Sequence, residues 1–110
     1  MTKCEFFRDN ERITGFSVSG HSGYAEAGQD IVCAGVSAIV INTINSLEKF
    51  ANTKFKVITD PDTDSGLIDV TFEEELTPEA ELLMNSMILG LQGIQNEYEN
   101  KYLRLEIKEV

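Results

Sequence analysis

Two residues in this chain have side chains that could share a proton during a nucleophilic attack: His21, its only histidine, and Cys33, one of its two cysteines. They lie in the stretch GHSGYAEAGQDIVCAGVSA, with eleven residues between them and Gly20, Gly23 and Gly28 in or beside that interval. An imidazole next to a thiol can take its proton and later return it to a leaving amine, which is what cysteine hydrolases require. Separation in sequence is no obstacle, because a loop of this length closes at modest entropic cost. The bland readings stand beside this one. A cysteine in an apolar helix is usually a small buried hydrophobe, and a histidine after a strand is commonly a surface or capping residue.

Placement favours chemistry. A long apolar run starts at Ile31, and Asp30 directly before it has the character of an N-cap. A helix beginning there puts Cys33 in its first turn, where the helix dipole and unpaired amides favour the thiolate. Those amides would also be the natural donors to a developing oxyanion. Gln29 is a further candidate donor. Ser37, four residues after Cys33, falls on the same helix face, either to bond within a site or to bond back to a helical carbonyl. Asp30 could orient the imidazole as well as cap the helix. Gly23 and Gly28 are candidate hinges of the connecting loop at 22–29.

The remaining elements must hold this pair in place. Residues 3–8 read as a strand, Asp9-Asn10 as a tight turn, and Arg12–Ser19 as a second strand. Its alternation changes phase at Gly15, where a bulge would place Ile13, Phe16 and Val18 on one face. Residues 31–51 are apolar almost all round and too long for a strand, which predicts a buried central helix. Residues 55–59 and Leu67–Phe72 flank the turn-rich DPDTDSG and form a second hairpin. Thr77 caps a helix opening at Pro78, with Glu79 and Glu81 at its positive end. Leu83, Met87, Leu91, Ile94 and Tyr98 make its apolar stripe. Residues 102–107 alternate as a last strand. The expected fold is α+β, a single domain spanning 1–110 in ββαββαβ order, with a largely antiparallel sheet, one buried central helix and one amphipathic helix.

Bulk composition narrows the function. The chain has 110 residues, 42% apolar and 25% charged, enough for one self-sufficient core. Nine basic against nineteen acidic residues give a formal charge of −10, which opposes a phosphate backbone and argues against nucleic-acid binding. It favours basic partners or plain solubility. No uninterrupted apolar stretch has the length of a membrane span, and the opening MTKCEFFRDNER lacks the layout of a signal peptide. A cytoplasmic protein with reduced cysteines is expected. Cys4, on a strand with no base nearby, reads as structural. The acidic run FEEELTPEAE reads as a solvated helix start, and a zinc site at His21, Asp30 and Cys33 lacks further soft ligands. No metal or cofactor is called for.

The stretch around His21 and Cys33 resembles the signature of the bacterial ribosomal-processing cysteine proteases, the Prp family. It shares Gly20-His21, a glycine-bearing loop, Asp30-Ile31-Val32-Cys33-Ala34 and Ser37. Chain length, element order and LQGIQNEY at 91–98 extend the likeness over nearly the whole chain. The resemblance implies a site-specific endopeptidase that removes a short N-terminal extension from a large-subunit ribosomal protein, cutting after an aromatic pair and before a small residue. Cys33 would be the nucleophile, His21 the general base and then acid, the loop would move with substrate, and the protein would be a homodimer. The competing reading is a non-enzymatic, acidic, ribosome-associated binding module.

Overall fold

A computed structural model describes residues 2–20, 27–60 and 67–110, with 27–30 as backbone only. The chain opens with a hairpin, β1 (Thr2–Asp9) and β2 (Arg12–Ser19). Its turn is Asn10-Glu11, one residue later than Asp9-Asn10, and both residues have positive φ, 49° and 72°. That is the twist a two-residue hairpin turn needs. The register slips between Phe7↔Gly15 and Arg8↔Ile13, leaving Thr14 as the extra residue. The expected bulge is present, and Ile13, Phe16 and Val18 all reach the core. Gly15 is needed there because a Cβ would stand 2.4 Å from the Val70 carbonyl oxygen on the neighbouring strand.

After β2 come α1 (Ala27–Phe50), the hairpin β3 (Phe55–Asp60) and β4 (Leu67–Phe72), then α2 (Pro78–Glu97) and β5 (Leu103–Glu109). The sheet order is β3-β4-β2-β1-β5. All pairings are antiparallel except β1 with β5, which is parallel. One sheet face carries Cys4, Phe6, Phe16, Val18, Val70 and Phe72, and both helices pack into this single core. Phe6, Phe16, Phe72 and Phe55 run across it as a chain of tilted ring contacts, with centroids 6.2–6.5 Å apart. The opposite face is an ionic lattice in which Glu5 meets Lys108 at 2.5 Å and Lys3 reaches Glu106 at 3.7 Å.

The helices contact each other closely and run antiparallel. A Cβ on Gly35 would lie 3.3 Å from Ile94 Cδ1, and one on Gly90 would lie 3.2 Å from Ile39 Cδ1. These glycines bring the two backbones together. Toward the sheet α1 buries Val32, Val36, Val40, Thr43 and Leu47, a helical stripe. Its outer face does not share in this burial, with Ile31 and Ile41 59% and 50% exposed. The all-round apolarity that predicts a buried helix is therefore buried on one side only, because a two-layer fold offers α1 one sheet face and one neighbouring helix. Ile31–Phe50 is also long and apolar enough, at mean hydropathy 1.5, to cross a membrane by length and composition. Its inner stripe instead packs in a protein core.

Helix α2 follows expectation at its start. Thr77 accepts from the Ala80 amide at 3.1 Å, and Pro78 occupies the first helical position. Its buried residues are Ala80, Met84, Met87 and Leu91. Leu83, Ile94 and Tyr98, from the expected stripe, pack at the margin of the core.

Candidate active site

The strand and helix that flank the His21–Cys33 interval are both in place. β2 ends at Ser19 in the middle of the sheet, and Gly20 turns the chain there with φ 98°, a conformation that favours glycine. His21 and Gly23 lie outside the described residues. α1 spans Ala27–Phe50, so the helix is already formed four residues before the expected Ile31.

This earlier start changes several assignments. Asp30 is the fourth residue of α1 and is not its N-cap. The cap signal in sequence is local, and aspartate as a residue type is also favourable within a helix's first turn. Gln29 is helical, and so is Gly28, expected as a loop hinge but placed in α1's first turn. Cys33 becomes the seventh helical residue, beyond the first turn. Its own amide then belongs to the i→i−4 ladder. The expected oxyanion donors at Cys33 are therefore already engaged. The pull of a helix dipole also fades beyond the first turn.

Other features hold. Positions 29, 33 and 37 fall four apart on one stripe of α1, so Ser37 shares the face of Cys33. Cys33 is partly exposed and Cys4 is buried. Burial pushes the Cys4 thiol up to about 12, as suits a structural cysteine among core side chains. The side of α1 that carries Cys33 is also set by packing. Gly35 and Ile39 face α2, and a residue two positions from Gly35 points to the other side of the helix. Cys33 and Ser37 thus look away from α2, toward the β3 side of the sheet. No group of three or more metal-ligating side chains occurs among the described residues.

The chain as a whole, two helices over a mostly antiparallel sheet, has counterparts among known proteins. The family model for cysteine protease Prp matches residues 1–103. The ribosomal processing cysteine protease Prp of Bacillus subtilis is 38% identical over 105 residues, covering 91% of this chain and 92% of the relative. A crystal structure of the ribosomal processing protease Prp from S. aureus in complex with a substrate peptide is 28% identical, with a TM-score of 0.89 over 98% of this chain and 100% of that one. The same S. aureus protease with a covalently linked product peptide gives a TM-score of 0.85 at 28% identity, again over 98% and 100%.

The chain is a cysteine endopeptidase. It belongs to the Prp family, as the match over residues 1–103 and the B. subtilis relative both show. Family membership sets aside the non-enzymatic binding module.

Proposed function

We propose that this protease removes a short N-terminal extension from a large-subunit ribosomal protein, cutting after an aromatic pair, with Cys33 as nucleophile and His21 as proton carrier. The observation that carries the reading is the contrast between the thiols: Cys4 is sealed at 1% exposure, whereas Cys33 reaches the surface on the flank of α1 away from α2. Support for the substrate comes from the likeness to the ribosomal processing cysteine protease of B. subtilis and from the S. aureus enzyme's capture with substrate and product peptides.

In this mechanism His21 accepts the Cys33 proton as sulfur attacks the scissile carbonyl. The tetrahedral intermediate collapses to a thioester, and the same proton passes to the departing amine. Water, deprotonated by His21, then attacks the thioester, and the thiol is restored as the new carboxylate leaves. Ser37 and Gln29 share the stripe of Cys33 and are the candidate polar supports. Asp30, inside the first turn of α1, is the positioning residue for His21.

The same reading makes the protein a cytoplasmic homodimer that binds neither nucleic acid nor membrane. The −10 charge supports the lack of nucleic-acid binding, and the exposed Ile31 and Ile41 on α1 offer an apolar surface to a second copy.

The test is cleavage of a synthetic peptide carrying the extension and its paired phenylalanines. Wild-type chain should release one product cut after the pair, and Cys33→Ala and His21→Ala should each lose at least a thousandfold in kcat. Intact peptide with the wild type, or unchanged cleavage by Cys33→Ala, would remove the proposal.

A further inference from the structure

The open side of the sheet beside α1 has a shape that fits one kind of occupant. β3 is an edge strand. The Glu73 amide donates to the Lys54 carbonyl at 2.9 Å, so position 54 turns its main chain toward β4. An antiparallel ladder alternates. Lys56 and Ile58 therefore also bond toward β4, while Phe55, Val57 and Thr59 present their N–H and C=O groups to the open edge. The pairs Phe55↔Phe72 and Val57↔Val70 put the side chains of this second set on the helix-bearing face. Their β4 partners are buried, yet Val57 is 40% exposed, because α1 does not cover it.

The wall above this floor is the flank of α1 opposite α2. Cys33, Ser37, Ile44 and Glu48 recur there at i, i+4, i+11 and i+15, one helical stripe. Glu48 and Val57 line a common cleft of about 450 Å³ with Thr53, Lys54, Phe55 and Glu73. In that cleft the Thr53 hydroxyl oxygen is buried without a hydrogen-bond partner among the described residues. From Glu48 to Cys33 the helix rises about 22 Å at 1.5 Å per residue, and β3 spans roughly 17 Å. β3 ends at Asp60, opposite Leu67, at the sheet end where Val18 pairs with Ile68 and β2 leads to Gly20. Floor and wall thus run together toward the thiol.

We propose that this groove takes the peptide substrate as an added β-strand along β3, its main chain bonded to Phe55, Val57 and Thr59 and alternate apolar side chains laid against Val57 beside α1. The inference rests on Cys33 being the reacting thiol and adds the surface that delivers the peptide to it. Main-chain bonding supplies affinity, and the alternating side-chain positions supply selectivity. Of the charged residues lining the cleft, Glu48 and Glu73 outnumber Lys54, which pairs with Glu74 at 3.4 Å, and in a chain of net charge −10 this balance favours an extended peptide with basic flanks.

The experiment uses the full chain as Cys33→Ala, which binds without turnover, and a synthetic peptide with a paired-phenylalanine site and basic flanks. Amide hydrogen exchange is read residue by residue. Saturating peptide should slow Phe55, Val57 and Thr59 at least tenfold and leave Lys56 and Ile58 unchanged. In the chain with Cys33 intact, Val57→Lys should raise KM at least tenfold with kcat within twofold, and the milder Val57→Thr should raise it less. Ile107→Lys, at the opposite edge of the sheet, should alter neither. Absence of peptide binding, binding that leaves Val57 and Thr59 unprotected, or equal effects at the two edges would overturn the groove. Protection of those amides that rises with protein concentration and needs no peptide would assign the edge to a second copy and overturn it too. Cleavage without β3 protection removes the groove alone, whereas β3 protection in a chain whose wild type cuts nothing keeps the groove and removes the proteolytic role of Cys33.

Discussion

Thr77 ties the end of one helix to the start of the other: its hydroxyl donates to the Ala51 carbonyl at 2.6 Å and accepts from the Ala80 amide at 3.1 Å. Ala51 is fully buried, so this carbonyl would be costly to leave unpaired. Thr77→Ala removes the cap of α2 and the partner of Ala51 together and should cost about 2 kcal/mol, at the upper end of cap losses. Thr77→Ser should recover most of it. Urea denaturation of the three chains measures both.

Gly15 faces β4 with no room for a side chain. Gly15→Ala places a methyl 2.4 Å from the Val70 oxygen, a backbone atom in the middle of the sheet that cannot swing aside. A loss of about 2–3 kcal/mol is expected, typical of overpacking. Gly93→Ala is the control, since nothing lies within 4 Å of its Cβ position and an exposed helical glycine gains by the change. Thermal melts should move in opposite directions for the two variants.

The two thiols should separate cleanly under alkylation. Cys4 is 1% exposed and burial holds its thiol near 12, so in native protein at mildly alkaline pH it should stay unlabelled. Iodoacetamide should label Cys33 first, and Cys4 only after denaturant is added. Peptide mapping by mass spectrometry reads the order.

Acid should weaken the outer face of the sheet. The hydrogen bond from Lys108, with its charge and that of Lys3, holds the Glu5 carboxyl below its ordinary value, and the Lys108 ammonium is correspondingly raised. A depressed carboxyl contributes stability above its unfolded value and loses it as pH falls through the folded one. Melting temperature should therefore fall on strong acidification, and Glu5→Gln should flatten that part of the profile. The effect should be small and shrink with salt, as for any exposed pair.

Legibility in sequence followed the range of the forces involved. β2 and β4 match their expected bounds because alternating side chains and turn residues are local signals, and the Thr77-Pro78 start of α2 is equally local. The start of α1 is not. Asp30 has the chemistry of a cap, yet Ala27–Asp30 continue the helix, and only the surrounding fold decides between the two. Nor could composition say which side of α1 is buried, since β-branched residues surround it and the sheet selects Val32, Val36 and Val40. The parallel pairing of β1 with β5 and the open edge of β3 depend on contacts between distant segments, to which periodicity is blind. For the site, the residue types and the family signature were readable, and so was the shared face of Cys33 and Ser37. Which flank of α1 they occupy was not, because it depends on Gly35 and Gly90 admitting α2 on the other side.

The proteolytic account comes down to a thioester on one sulfur. Mixing the full chain with the paired-phenylalanine peptide, quenching in acid within a turnover, and weighing the intact protein tests it directly. The account predicts an adduct equal to the N-terminal product minus water, mapped to the peptide containing Cys33 and absent from Cys33→Ala. Product release with no adduct at any quench time, or an adduct that maps to another residue, would contradict it.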